Sequence, residues 1–292
     1  MSEHDLENRP TTPPPTPRRA LVLGGGGITG IAWEIGVLAG LRAAGVDLSG
    51  ADAVIGTSAG AFVGAAVASG YDLDRLFAAQ SEPSPAEVAA TASAETMQAW
   101  YGAFAAGGTN PARIGAALGE IAKNNPEPVP AAQRRAAIEG RLVTTAWPLT
   151  LQITAINADS GELHVFDQAA GVALVDAVSA SGAVPGVWPL VHLNGQRWID
   201  GGMVSTANAG LATGYERVVV LAPLPAGNGP IPGAAADVQA LSAAAQVLLI
   251  APDEASVAAI GPNIYDPSRR AEVAAAGRRQ GSRLAAAVQA VW

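Results

Sequence analysis

Short apolar runs alternate with longer, Ala-rich stretches along the chain, and glycine, proline or small polar residues mark the breaks between them. Runs of this length rich in branched apolar residues read as strands rather than helices. The first is Arg19-Ala20-Leu21-Val22-Leu23 and the second spans Asp52 to Ile55. Thr150 to Ile156 and Glu162 to Phe166 flank the turn Asn157-Ala158-Asp159-Ser160-Gly161. Leu190 to Leu193 and Gln196 to Ile199 flank Asn194-Gly195, so each pair reads as a hairpin. Arg217-Val218-Val219-Val220-Leu221 and Val247-Leu248-Leu249-Ile250 have the unbroken apolar character of strands covered on both faces. Helices are predicted over residues 31–44, 61–69, 172–181 and from Ser268 to Trp292. Strands alternating with helices predict an α/β fold, a three-layer α/β/α sandwich around a mainly parallel sheet.

Residues 80–140 break that rhythm. Ser84-Pro85-Ala86-Glu87 has the form of a capping box with proline at the first helical position, opening a helix toward Phe104. Asn110-Pro111 starts a second helix over residues 112–123, and a third, 131–139, follows the Pro-rich break from Asn124 to Pro130. The stretch reads as a helical insertion beside the sheet, carrying Trp100, Tyr101 and Phe104. It serves either as a lid or wall over a site, or simply as packing.

Composition narrows the functional classes. At 292 residues the chain makes one large or two small domains. Hydrophobic residues make up 49% and charged residues 14%, so the core is built mostly of small aliphatic side chains that let elements approach closely. A formal charge of -8 argues against nucleic acid, which needs clustered cations. It also argues against electrostatic attraction to anionic lipid, leaving transient apolar contact as the form a membrane encounter would take. With no cysteine, disulfides and thiolate metal sites are excluded. The polar, Pro-rich residues 1–18 have little to bury and read as a disordered tail without a signal peptide, so the default address is the cytoplasm. The uncharged window from Ala53 to Tyr71 is too rich in Gly, Ser and Thr for a membrane span and reads as buried core.

Candidate chemistry centres on Gly56-Thr57-Ser58-Ala59-Gly60, between the second strand and a helix. Gly-x-Ser-x-Gly in that setting is a nucleophile elbow, with Gly56 and Gly60 giving room for a sharp turn. The first strand runs into Gly24-Gly25-Gly26-Gly27-Ile28-Thr29-Gly30. Gly25-x-Gly27-x-x-Gly30 formally fits a dinucleotide fingerprint, but no acidic residue follows at the distance needed to hold a ribose. The loop is read instead either as a packing turn or as a source of backbone N–H groups converging on an oxyanion. Of the three histidines, His4 lies in the tail, while His164 and His192 sit in predicted strands, upstream of where a histidine-last triad would need them. The alternative base is Asp200, at the end of an apolar strand and followed by Gly201 and Gly202.

Four blocks in this order resemble the patatin-like phospholipases: Gly25 to Gly30, Gly56 to Gly60, Ala180-Ser181-Gly182-Ala183-Val184-Pro185, and Asp200-Gly201-Gly202. The resemblance implies a Ser58–Asp200 dyad, an oxyanion hole from Gly25, Gly26 and Gly27, and hydrolysis of lipid acyl esters with neither metal nor cofactor. It also implies a single patatin-like domain over residues 19–292. Family members usually carry Arg or Lys just before the last glycine of the first block; here Thr29 leaves the loop without a cation. Three other classes stand beside this reading: an acyltransferase using the same acyl-serine, a nucleotide-binding protein, and a catalytically idle scaffold.

Overall fold

The computed structural model describes residues 16–83, 87–124, 129–227 and 231–292. Most of the expected tail, the Ser84-Pro85-Ala86 part of the capping box and most of the Pro-rich break after Asn124 lie outside these residues.

The chain runs β1 (Arg19–Leu23), α1 (Gly27–Ala43), β2 (Ala53–Thr57), α2 (Ala59–Ala68) and α3 (Leu73–Ala78). The insertion follows as α4 (Ala94–Gly107), α5 (Pro111–Asn124) and α6 (Ala131–Arg141). Next come β3 (Leu151–Asn157), β4 (Leu163–Phe166), α7 (Leu174–Ser181), β5 (Val191–Leu193) and β6 (Gln196–Asp200). The remainder is β7 (Arg217–Leu221), α8 (Ala234–Leu241), β8 (Gln246–Ile250), α9 (Glu254–Ile260) and α10 (Arg270–Val291).

One eight-stranded sheet has the order β5-β6-β3-β2-β1-β7-β8, with β4 also paired to β3. Strands β8, β7, β1, β2 and β3 are mutually parallel, and β4, β6 and β5 join through antiparallel pairs, so the sheet is mainly parallel as expected, with antiparallel pairing confined to one side. Alternation along each strand sorts the core into layers. Leu21, Leu23, Val54, Val219 and Ile153 pack with α1, α2, α7 and α10. Ala20, Val22, Ile55, Val218 and Val220 face the opposite way, toward α8. Ile156 and Ile199 meet Ile114 and Leu118 of α5 in a third cluster.

Helix α1 is buried on nearly every side, and its glycines show why. A Cβ on Gly36 or Gly40 would fall 2.2 Å from Ala274 O or 2.1 Å from Arg278 O of α10. Gly277 and Gly281 of α10 approach the α1 backbone as closely in return. The two helices therefore touch backbone to backbone, which only glycine permits at that spacing.

The first helix of the insertion starts later than its sequence signature suggests. Ser93, not Ser84, caps α4, its Oγ accepting the Thr96 N–H at 3.1 Å. Glu87, expected at the third helical position, pairs instead with Arg141 of α6, so a tertiary ion pair overrides a local signal. The hairpin turn at Asn194-Gly195 holds as expected, both residues having the positive φ of a type I′ turn.

Candidate active site

Ser58 stands between the end of β2 and the start of α2 with φ 53° and ψ −111°, a strained conformation for a residue with a side chain. Three hydrogen bonds hold it there: its N–H to Ser181 Oγ at 2.8 Å, Ala61 N–H to Ser58 O at 3.0 Å, and Gly60 N–H to Gly24 O at 3.0 Å. The flanking glycines are required by contact. A Cβ on Gly60 would lie 2.0 Å from Leu23 O, and one on Gly56 would lie 2.6 Å from Gly60 O. The elbow thus docks directly on the end of β1.

Asp200 reaches the same point by an end-to-end arrangement on β3. Strand β2 pairs with the first half of β3, ending at Thr57 opposite Thr154, and antiparallel β6 ends at Asp200 opposite Ala155. Because β4 occupies the other edge of β3 over the same residues, β2 and β6 share one edge and their last residues meet. A buried polar clamp closes that junction. Thr57 Oγ1 and Thr154 Oγ1 lie 2.8 Å apart, and Asn208 Nδ2 donates to Thr57 Oγ1 and to Gly201 O, each at 3.0 Å.

Within this junction Ser58 and the Asp200 carboxylate line the same small pocket, and Asp200 Oδ1 accepts the Gly202 N–H at 2.7 Å. Burial pushes the Asp200 carboxyl up to about 6, against the lowering pull of Ser58, of the Gly202 hydrogen bond and of the Arg134 charge. Such a carboxylate is a stronger base than a solvated one, yet remains ionised at neutral pH. Gly201 leaves no room for a side chain, since a Cβ would fall 2.4 Å from Thr154 Oγ1.

The glycine loop lies over Ser58, and a Cβ on Gly25 would be 3.5 Å from Ser58 Cβ. The three expected oxyanion donors do not stand alike. Gly25 N–H donates to Thr206 O at 2.7 Å. Gly26 and Gly27 N–H have no such partner among the described residues, nor does that of Ala59, the residue after the serine. Gly26 is pressed on Pro223, and Gly27 has φ +62°, so these two positions demand glycine. Gly30 N–H bonds Gly26 O at 2.8 Å, so α1 begins within the glycine motif rather than after it. Thr29 is buried, its N–H donating to Ile264 O at 3.0 Å.

Two small pockets share Ser58, Gly27, Val184 and Tyr265. One, of about 150 Å³, also holds Asp200 and has apolar walls from Trp100 and Phe104 of α4 and from Met203, Leu224 and Ile264. The insertion is therefore a wall of the site. The other, of about 20 Å³, is bordered by Phe62, Trp188, Arg134 and Arg141. No histidine lines either pocket; His164 stacks against Phe166 and Trp198, and His192 is exposed on β5. Sequence reasoning did not single out Arg134, Asn208 or Ser181 for a role; only Ser181, inside a matched motif, carried any signal.

A family model described as patatin-like phospholipase matches residues 21–213, about two thirds of the chain, from β1 past Asp200. By class, the protein is a lipid acyl hydrolase. The chain belongs to the patatin-like phospholipase family. Among solved structures, VipD from Legionella pneumophila is similar over 93% of this chain and 67% of its own, at 13% identity and a TM-score of 0.48. The type III effector protein ExoU is similar over 94% of this chain, at 18% identity and a TM-score of 0.42, and this chain spans only 54% of its length. No curated protein matched. Among the described residues, no helix is long and apolar enough to cross a membrane.

Proposed function

We propose that the chain hydrolyses acyl esters of lipids with Ser58 as nucleophile and Asp200 as its base, through an acyl-serine intermediate. The observation that carries this reading is that a hydroxyl on a strained elbow and a buried carboxylate share one pocket. Asp200 takes the Ser58 proton as Oγ attacks the ester carbonyl. The developing oxyanion is met by the N–H groups of Gly26, Gly27 and Ala59, at the start of α2 where the helix dipole favours negative charge. Collapse expels the alcohol, which receives the proton from Asp200. Water then gives a proton to Asp200 and attacks the acyl-enzyme, releasing the acid and restoring Ser58. The pocket walled by Trp100, Phe104 and Met203 takes the acyl chain. The whole site falls within residues 19–292, which we take as one domain.

The test is hydrolysis of a chromogenic medium-chain ester by purified variants. Ser58→Ala abolishes turnover, Asp200→Asn is nearly as damaging, and His192→Ala is mild. Retained activity in Ser58→Ala, or a His192 effect larger than that of Asp200, overturns the assignment.

A further inference from the structure

Arg134 is a buried cation whose surroundings leave much of its hydrogen-bonding capacity unused. It comes from the first turns of α6, is buried, and lies beside the pocket that holds Ser58. Its guanidinium carbon lies over Trp188, 3.8 Å from the ring centroid, in reach of a cation–π interaction. Among the described residues, Nε and Nη1 nevertheless have no hydrogen-bond partner. Leaving buried donors of a cation unpaired is costly, and natural folds seldom do so without reason.

The neighbouring cations each stand within ion-pair distance of a carboxylate. Arg141 forms a two-pronged pair with Glu87, and Arg135 pairs with Asp176 and Glu139. Among the described residues Arg134 has no ion pair, and it feels Glu87 and Asp200 only through space. Burial, and next the charge of Arg141, lower its pKa to about 9, so it is still charged at neutral pH. It also stands between two spaces. On one side is the pocket of about 20 Å³ next to Ser58; on the other is a cavity of about 310 Å³ that it lines with Arg135, Trp188 and His192. The first holds little more than a water molecule, whereas the second has room for a headgroup.

We propose that Arg134 is the anion-recognising residue of this site, selecting acyl esters whose alcohol portion carries a phosphate. This rests on Ser58 being the nucleophile. The apolar pocket on the Asp200 side takes the acyl chain, and the alcohol leaves toward Arg134. There the planar guanidinium meets the phosphate oxygens with donors that nothing else among the described residues uses. The cation is supplied by the insertion, not by the glycine loop.

The experiment compares octanoylglycerol phosphate with octanoylglycerol on the full chain, for wild type, Arg134→Met and Arg134→Lys. The expected result is a wild-type preference for the phosphate ester in kcat/KM. In Arg134→Met the phosphate-to-neutral ratio falls about tenfold to a hundredfold, the range for losing charge-assisted bonds, with partial recovery in Arg134→Lys. An unchanged ratio, or a wild-type preference for the neutral ester, overturns the proposal while leaving the hydrolase reading intact. Binding of inorganic phosphate, followed by calorimetry, gives a readout independent of turnover. Wild type binds and Arg134→Met binds at least tenfold more weakly; equal binding, or none to wild type, overturns the proposal. Phosphate binding lost in Arg134→Met, in a protein that hydrolyses neither ester, sinks the hydrolase reading instead. Thermal melts of both variants separate loss of folding from loss of recognition.

Discussion

The raised pKa of Asp200 makes one prediction with two readouts. The carboxyl moves from an ordinary 3.8 to about 6, mainly through burial. As a base it works only when ionised, so kcat/KM on a neutral ester rises with pH, is half-maximal near pH 6 and levels off above it. Near pH 5 roughly a tenth of the carboxyl is ionised, and the rate falls about tenfold. An ordinary aspartate would leave the rate almost unchanged there. Because imidazole titrates in the same range, the profile is taken at two temperatures: a carboxylate midpoint hardly moves, whereas an imidazole midpoint falls on warming. The second readout is stability. A raised folded-state pKa contributes stability that is full below the unfolded value and is lost as pH rises through about 6. The shift corresponds to about 3 kcal/mol of penalty for the charged form at pH 8. Asp200→Asn removes that penalty, so urea unfolding finds the variant more stable than wild type near pH 8 and little different near pH 4. A rate that is flat from about pH 4.5 to 8, or an Asp200→Asn stability difference that does not grow with pH, refutes the reasoning.

Two further outcomes follow from buried polar groups. Asn208→Ala removes the donor joining Thr57 and Gly201, leaves their acceptors buried, and costs about 1–3 kcal/mol in chemical unfolding. It also lowers kcat by loosening the meeting of β2 with β6, and unaltered kinetics would show the clamp to be dispensable. Glu34 is fully buried in α1, with neither carboxyl oxygen in an ordinary hydrogen bond. Burial pushes its pKa well up and the Gly24 N–H, already bound to Leu221 O, only partly offsets this. Wild type therefore loses stability as pH rises above the ordinary carboxyl range, and Glu34→Gln does not. The melting-temperature gap in favour of Gln opens between about pH 4 and 8; a constant gap would contradict it.

Much of this site is legible in the sequence because its determinants are local. The sharp turn at Ser58 needs Gly56 and Gly60, and β1 and β7 are continuous apolar runs whose edges match the structure. The hairpin at Asn194-Gly195 is fixed by backbone preference alone. What the sequence hides depends on distant partners. Arg134 looks like any cation on a polar helix until Trp188 covers it, and Asn208 becomes a clamp only when the ends of β2 and β6 meet along β3. Gly25 offers the same N–H as its neighbours in the sequence, but Thr206, far along the chain, captures it. The short helices α3, α8 and α9 give too few turns for a periodic signal.

The central claim is that one serine of this chain is activated by one carboxylate. Intact-protein mass spectrometry after exposure to a fluorophosphonate, followed by peptide mapping, tests it most directly. The account predicts a single adduct on Ser58, lost in Ser58→Ala and strongly slowed in Asp200→Asn. An unlabelled protein, an adduct on another serine, or labelling as fast in Asp200→Asn as in wild type would contradict it.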